Sequence, residues 1–200
     1  MTQTNFSLLV VTSADGFIAR RSGHAPHDWA SKEEQTIFLK AVDAADWGIM
    51  GRGTHSAADK PHRRRVLFSR QAPVPEWRRP TQIWCDPSLL RPQDLVSLTA
   101  PVHPMRQALI LGGTQVHDWF LQHQAIDEIV LTIEPVTFGN GLPVFSGQPR
   151  ATPEEILAWA GFTQTDSRRL NAGGTRLLSF RSNGQIGCSQ PSALTRMALG

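Results

Sequence analysis

The sequence predicts an α/β fold built on a mixed, mostly parallel sheet, and three observations carry that reading. Short apolar runs at residues 6–12, 47–50, 66–68, 83–85 and 109–111 are each too short for a helix and end at turn residues. The connections between them include helical patterns, and alternating strands and helices make parallel sheets covered by helices. Near the end, runs at 162–170 and 175–181, joined through "NAGG", read as an antiparallel hairpin at the sheet edge.

Taken in order, the first run stops at "SADG" and residues 17–19 resume it. Ser31 then opens a helix. Its hydroxyl can cap the Glu34 amide while the Glu34 carboxylate reaches back, a capping box, and Ile37, Phe38, Ala41, Val42 and Ala45 follow at helical spacing. The strand at 47–50 ends at "GRGT", the strand at 66–68 at "SR" and the strand at 83–85 at "DP". The proline-rich stretch over residues 71–87 reads as a surface loop. The strand at 109–111 ends at Gly112-Gly113, and residues 114–122 form a helix. Residues 126–133 make the longest strand, after which "EPVTFGNGLPVF" carries turn chemistry. "TPEEILAWAGF" is a short helix capped by Thr152, with Pro153 at its first position, Glu155 completing a capping box and Gly161 as its stop. One domain over residues 1–181 and a polar tail over 182–200 are expected.

Composition narrows the function. Of 200 residues, 40% are hydrophobic and 18% charged, the range of a folded globular chain. The formal net charge is only +3 and the arginines are scattered apart from Arg63-Arg64-Arg65, which lack stacking aromatics nearby. A small anionic molecule fits this charge balance equally well, and the missing stacking partners disfavour a nucleic acid. Cys85 and Cys188 have no C-x-x-C spacing and read as reduced thiols, and no apolar run is long enough for a signal or membrane span, so a cytoplasmic protein is expected. His24, His27, His55 and His62 lack carboxylates or thiolates at ligand spacing, so no metal site is expected. His117 is expected on a helix surface or at a cofactor's edge. No G-x-S-x-G elbow supports a hydrolase.

The stretch "ALILGGTQVHDWF" runs a buried strand into two glycines and a helix. Such a turn lets backbone approach a ligand while the first helical N–H groups, carrying partial positive charge, point at it, a geometry suited to a diphosphate. Arg52, Thr54, Ser69 and Arg70 follow other strand ends and offer cations and hydroxyls to phosphate. Ligands of open α/β sheets gather outside such ends. The G-x-G-x-x-G fingerprint is absent, which disfavours a Rossmann site.

"TSADGFIA", "DWAS", "IMGRGT", "RRRVLFSRQ", "ALILGGTQV" and "IDEIVLTIEPVTFGNGLPVF" occur in an order that resembles the dihydrofolate reductase-like superfamily. The resemblance is greater to the reductase domain of riboflavin-biosynthesis proteins (the RibD C-terminal domain) and its stand-alone relatives. It implies a dihydrofolate reductase-like central sheet flanked by helices, an NADPH-dependent reductase acting on a small-molecule substrate, and a homodimer. By the same resemblance Gly51, Arg52 and Thr54 contact the cofactor. Ser69 and Arg70 hold its adenosine end and favour NADPH through the 2′-phosphate. Gly112, Gly113, Thr114, Gln115 and Val116 line the nicotinamide and diphosphate, and Trp29 lies where relatives place a cofactor-contacting tryptophan. Aligning Phe38 with the aromatic of folate reductases puts Glu34 at the position of their substrate-holding carboxylate. Glu34 and Asp15 are the candidate catalytic acids, and Ser13, Glu34 and Phe38 the candidate substrate contacts. Leu111 stands where riboflavin-pathway reductases carry a glutamate, and the zinc deaminase motif is absent, so the substrate is left open between pterin-like and diaminopyrimidine-like heterocycles or carbonyls. An NADPH-binding module without efficient turnover is the alternative.

Overall fold

The computed structural model describes residues 4–185. Its centre is β1 (Asn5–Ser13), hydrogen-bonded in parallel to β7 (Gln107–Gly112) on one side and to β8 (Glu128–Glu134) on the other. Beyond β7 come β3 (Trp47–Gly51), β4 (Arg65–Phe68) and β6 (Gln82–Cys85), all parallel. The edges run antiparallel to their neighbours: β5 (Glu76–Arg79) pairs with β6, and β11 (Arg176–Ser182) pairs with β8 and with β10 (Phe162–Arg169). The full order is β10-β11-β8-β1-β7-β3-β4-β6-β5.

Central strands read as nearly unbroken apolar runs because both sheet faces are covered. β8 is buried along its whole length. Leu8, Val10, Ile110, Ile129 and Leu131 face a large core with residues of α3 (Pro92–Thr99), α4 (Thr114–Gln122) and α5 (Pro153–Trp159). Leu9, Leu109, Val130 and Leu177 point the other way, against Ile37, Phe38 and Ala41 of α1 (Lys32–Ala44). Each fully buried leucine or isoleucine in these layers contributes about 1.5–3 kcal/mol, so the layers fix α1 over the β8-β1-β7 region. Its first turn then stands near the C-terminal ends of those strands.

Five expectations change. Residues 126–133 are not the longest strand, because β8 begins at Glu128 and its seven residues are fewer than the nine of β1. Residues 17–19 do not resume the first strand; they form β2 (Phe17–Ala19), which pairs with β9 (Leu142–Pro143) in a separate two-stranded sheet. The proline-rich stretch is not simply a loop, since it holds β5, an edge strand with mostly exposed residues. "GRGT" starts a short helix, α2 (Arg52–Ala57), directly after β3. The hairpin's second strand continues to Ser182, one residue into the expected tail. Residues 186–200, with Cys188, lie outside the described residues. Among the described residues, no helix is long and apolar enough to cross a membrane.

Candidate functional site

Parallel strands bring their C-terminal ends to one edge of the sheet. Met50 is opposite Gly112, Gly51 opposite Phe68, and Ser13 opposite Glu134. Gly51, Ser69, Gly112, Ser13 and Glu134 therefore share one edge, and four strand spacings separate β8 from β4, about 19 Å.

The glycine half of this edge is tightly built. A Cβ on Gly51 would lie 3.6 Å from Val116 Cγ2, so the ends of β3 and β7 meet at the start of α4. Gly112 has φ +94°, and a Cβ there would come within 2.9 Å of His117 Nε2. Its peptide bond to Gly113 is cis. A Cβ on Gly113, the residue capping α4, would meet nothing within 4 Å, so this residue borders open space at the start of the helix. Thr114 Oγ1 donates to the Pro143 carbonyl at 2.5 Å, Gln115 is exposed and Val116 is buried. Next to β3, Arg52 Nη1 donates to Gln71 Oε1 at 2.6 Å, and the Gln71 amide donates to Ser69 Oγ at 3.2 Å. Thr54 is half-buried, and Arg70 is exposed with its charge near Asp86. The start of α4 and the segments carrying Arg52 and Arg70 lie along the same sheet edge, a setting that suits an anionic ligand.

His117 corrects an expectation. It does not lie on the helix surface but is 2% accessible, with Nδ1 donating to the Val144 carbonyl at 2.9 Å. Burial drives its pKa down to about 4, against the raising effects of that bond and of Asp118, so the ring is neutral at pH 7.

The acid half holds two buried carboxyl groups. Ser31 caps α1 as expected, its Oγ accepting from the Glu34 amide at 3.3 Å. The capping box is not completed by Glu34, because the Ser31 N–H donates instead to Glu134 Oε1 at 2.8 Å. Glu134 Oε2 accepts from the Thr175 hydroxyl at 2.7 Å, and Asn171 Nδ2 donates both to Thr175 Oγ1 and to Glu33 on α1. Glu34 and Glu134 are 5% and 3% accessible. Burial first, and then the negative charge of Glu134, push the Glu34 carboxyl up to about 7. Phe38, one turn further along α1, is half-buried against the apolar cluster, with Leu111 packed in the same layer.

Beside these carboxyls, the residues after β1 fix a loop. Asp15 Oδ1 accepts from the Phe138 amide at 3.0 Å and Oδ2 from the Gly139 amide at 2.7 Å. Burial opposes the Asp15 charge, but hydrogen bonds from Ser13 and from these amides outweigh it and hold the carboxyl below its usual range. Ser13 Oγ accepts from the Phe17 amide at 3.1 Å. Arg20 stacks its guanidinium 4.4 Å from the Phe138 ring centroid, and Trp29 meets the same ring edge-on at 5.0 Å. The Trp29 indole N–H is buried with no hydrogen-bond partner among the described residues.

The expected site residues thus fall into three groups along one sheet edge: the glycine and arginine segment, the Glu34 segment with Ser13 and Phe38, and the Asp15 loop with Trp29. Glu134, Thr175 and Phe138 were not foreseen. The available signal for Glu134 was an acid ending an otherwise apolar strand in "IVLTIE".

Solved structures share this architecture. Acinetobacter baumannii RibD, form 1, matches with TM-score 0.68 and 18% identity over 89% of this chain and 58% of that one. A diaminohydroxyphosphoribosylaminopyrimidine deaminase/5-amino-6-(5-phosphoribosylamino)uracil reductase from Thermotoga maritima matches with TM-score 0.65 and 17% identity, over 90% of this chain and 56% of that one. The chain therefore spans just over half the length of these two proteins. Dihydrofolate reductase from Enterococcus faecalis, complexed with NADP(H) and RAB-propyl, matches with TM-score 0.60 and 14% identity over 90% of this chain and 96% of that one. At these identities the likeness shows the fold, which is dihydrofolate reductase-like. No curated protein matches the sequence. The RibD C-terminal domain matches residues 7–173, most of the chain, and the protein belongs to the RibD C-terminal domain family.

Proposed function

We propose that the chain is an NADPH-dependent reductase acting on a small heterocyclic or carbonyl substrate of the pterin or diaminopyrimidine kind. The observation that carries this reading is a buried carboxyl that keeps its proton near neutral pH, on the same sheet edge as an open Gly-Gly helix entrance. Gly51, Arg52, Thr54, Ser69 and Arg70 hold the adenosine end of the cofactor, with an arginine on its 2′-phosphate. Gly112, Gly113, Thr114, Gln115 and Val116 take the diphosphate and nicotinamide. NADPH, when bound, supplies a hydride to the substrate carbon. Glu34 meets the polar edge of the substrate and provides the proton for the receiving heteroatom. Phe38 and Ser13 line the ring's sides, and Trp29 closes the cleft. Asp15 is assigned a positioning role, because its carboxylate already receives two backbone amides and so holds the loop that carries Phe138 against Trp29.

A screen of NADPH oxidation over dihydropterins, ribosylated diaminopyrimidines and simple carbonyls tests the reading. Substrate-dependent loss of NADPH absorbance that falls at least tenfold in Glu34→Gln supports it. NADPH binding without oxidation across the whole panel establishes the turnover-free binding module instead.

A further inference from the structure

The geometry points to Glu134 as a positioning residue: fixed by the Ser31 amide and the Thr175 hydroxyl, it carries the negative charge of a two-carboxyl, one-proton pair and leaves the proton on Glu34. The inference rests on the reductase reading for its purpose, but not for its test.

The hydrogen bonds assign the two roles. Both oxygens of Glu134 receive donors, one a backbone N–H that can only donate. The Thr175 hydroxyl is oriented by Asn171 Nδ2, which donates to its oxygen at 3.0 Å and leaves its own proton for Glu134. A carboxyl accepting on both oxygens is served best as the anion. Glu34 receives no such set: the Ser31 hydroxyl takes its backbone N–H, and its side chain is buried beside a like charge. Ser31 ties the two together, its N–H held by Glu134 and its hydroxyl capping the Glu34 amide, and two buried carboxyls gathered at one residue do not both ionise at little cost, so the poorly solvated one keeps the proton.

Among the described residues, burial and the Glu134 charge are the influences on Glu34, and both favour its protonated form. α1 packs on β1, β7, β8 and β11. β1 and β7 carry no charged residue, and Glu128 lies at the far end of β8, about 20 Å along the strand. On β11, Arg181 lies opposite Glu128 at that far end, and Arg176 pairs with Glu154. Lys32, Glu33, Lys40 and Asp43 of α1 itself are exposed. At the hairpin turn Asn171 and Thr175 are neutral, and the Arg169 guanidinium is held by the Asn171 and Ala172 carbonyls.

With the cofactor bound, its reduced nicotinamide would supply a hydride to the C=N or C=O carbon of the substrate and leave as NADP⁺. The π bond breaks toward the heteroatom, which takes the Glu34 proton. Glu34 is left as a carboxylate and regains a proton from water. Glu134 touches neither substrate nor cofactor and acts by keeping Glu34 loaded between turnovers.

Carboxyl-carbon NMR of the ligand-free, glutamate-labelled chain reads the pair directly, with Glu34→Gln and Glu134→Gln variants assigning the signals. Glutamine is tolerable at position 134, since its carbonyl can accept from Ser31 and its amide can donate to Thr175 Oγ1. We expect the Glu34 signal to titrate near 7 in the native chain. In Glu134→Gln its midpoint falls by up to about one pH unit, the smaller share of the rise after burial, so that the protonated fraction at neutral pH drops. An unchanged Glu34 midpoint in Glu134→Gln overturns the proposal. So does a native chain in which Glu34 ionises in the ordinary carboxyl range while Glu134 holds the proton, a result that stands even if Glu134→Gln does not fold. Neither result depends on NADPH, so the reductase reading fails separately, on cofactor binding and turnover.

Discussion

Replacing Glu34 by glutamine keeps the side chain's size and removes its titration, and the structure sets what this does to stability. Glu34 titrates near 7 in the folded chain against an ordinary 4.5, so the folded state holds this proton more tightly than the unfolded state does. The associated stability is fully present below about pH 4.5 and is lost as pH rises through 7. The gap between the two values corresponds to about 3 kcal/mol. Glu34→Gln should therefore match the native chain near pH 4.5 and exceed it by about 3 kcal/mol near pH 9. For a domain of this size that is roughly 6–12 °C in melting temperature. His117 acts in the opposite sense. Its folded pKa is lowered from 6.5 to about 4, so stability falls as pH drops through that window. This loss is common to both proteins and cancels in their difference. Urea unfolding of the two proteins across pH 4.5 to 9 measures that difference. A gap that stays flat with pH refutes the buried, proton-holding carboxyl.

Two further substitutions probe the scaffold of the site. Asp15→Ala removes the carboxylate that receives the Phe138 and Gly139 amides, so hydrogen exchange at those two amides should accelerate by tenfold or more, with about 1–3 kcal/mol of local stability lost. Exchange unchanged from the native rate means the loop is held by something else. Gly112→Ala places a Cβ 2.9 Å from the buried His117 ring at a φ of +94°. It should lower global stability by about 2 kcal/mol or more, and a native-like melting temperature contradicts the packing described.

The strand tips and helix caps were legible because they are local. A short apolar run ending in glycine announces a buried strand end, and Ser31 and Thr152 each cap a helix within three residues. What escaped is set by long-range partners. The donor on Ser31 that seemed destined for Glu34 finds Glu134, 103 residues away. His117 looked like a surface residue on an amphipathic helix, and only the Val144 carbonyl, 27 residues on, makes its burial tolerable. β5 has no alternating apolar pattern because, as an edge strand, it hides little of its surface. β2 and β9 are too short to show a period and owe their pairing to chain segments more than 120 residues apart.

The proposed function rests on adjacent strand ends gripping a 2′-phosphorylated dinucleotide. Isothermal titration of the native chain and of Arg52→Ala with NADPH and NADH tests it most directly. The account predicts that the native chain binds NADPH more tightly than NADH, and that Arg52→Ala weakens NADPH by roughly ten- to a hundredfold, the worth of one charge-assisted contact, while NADH changes little. No heat on adding NADPH to the native chain, or equal losses for both coenzymes in the variant, contradicts it.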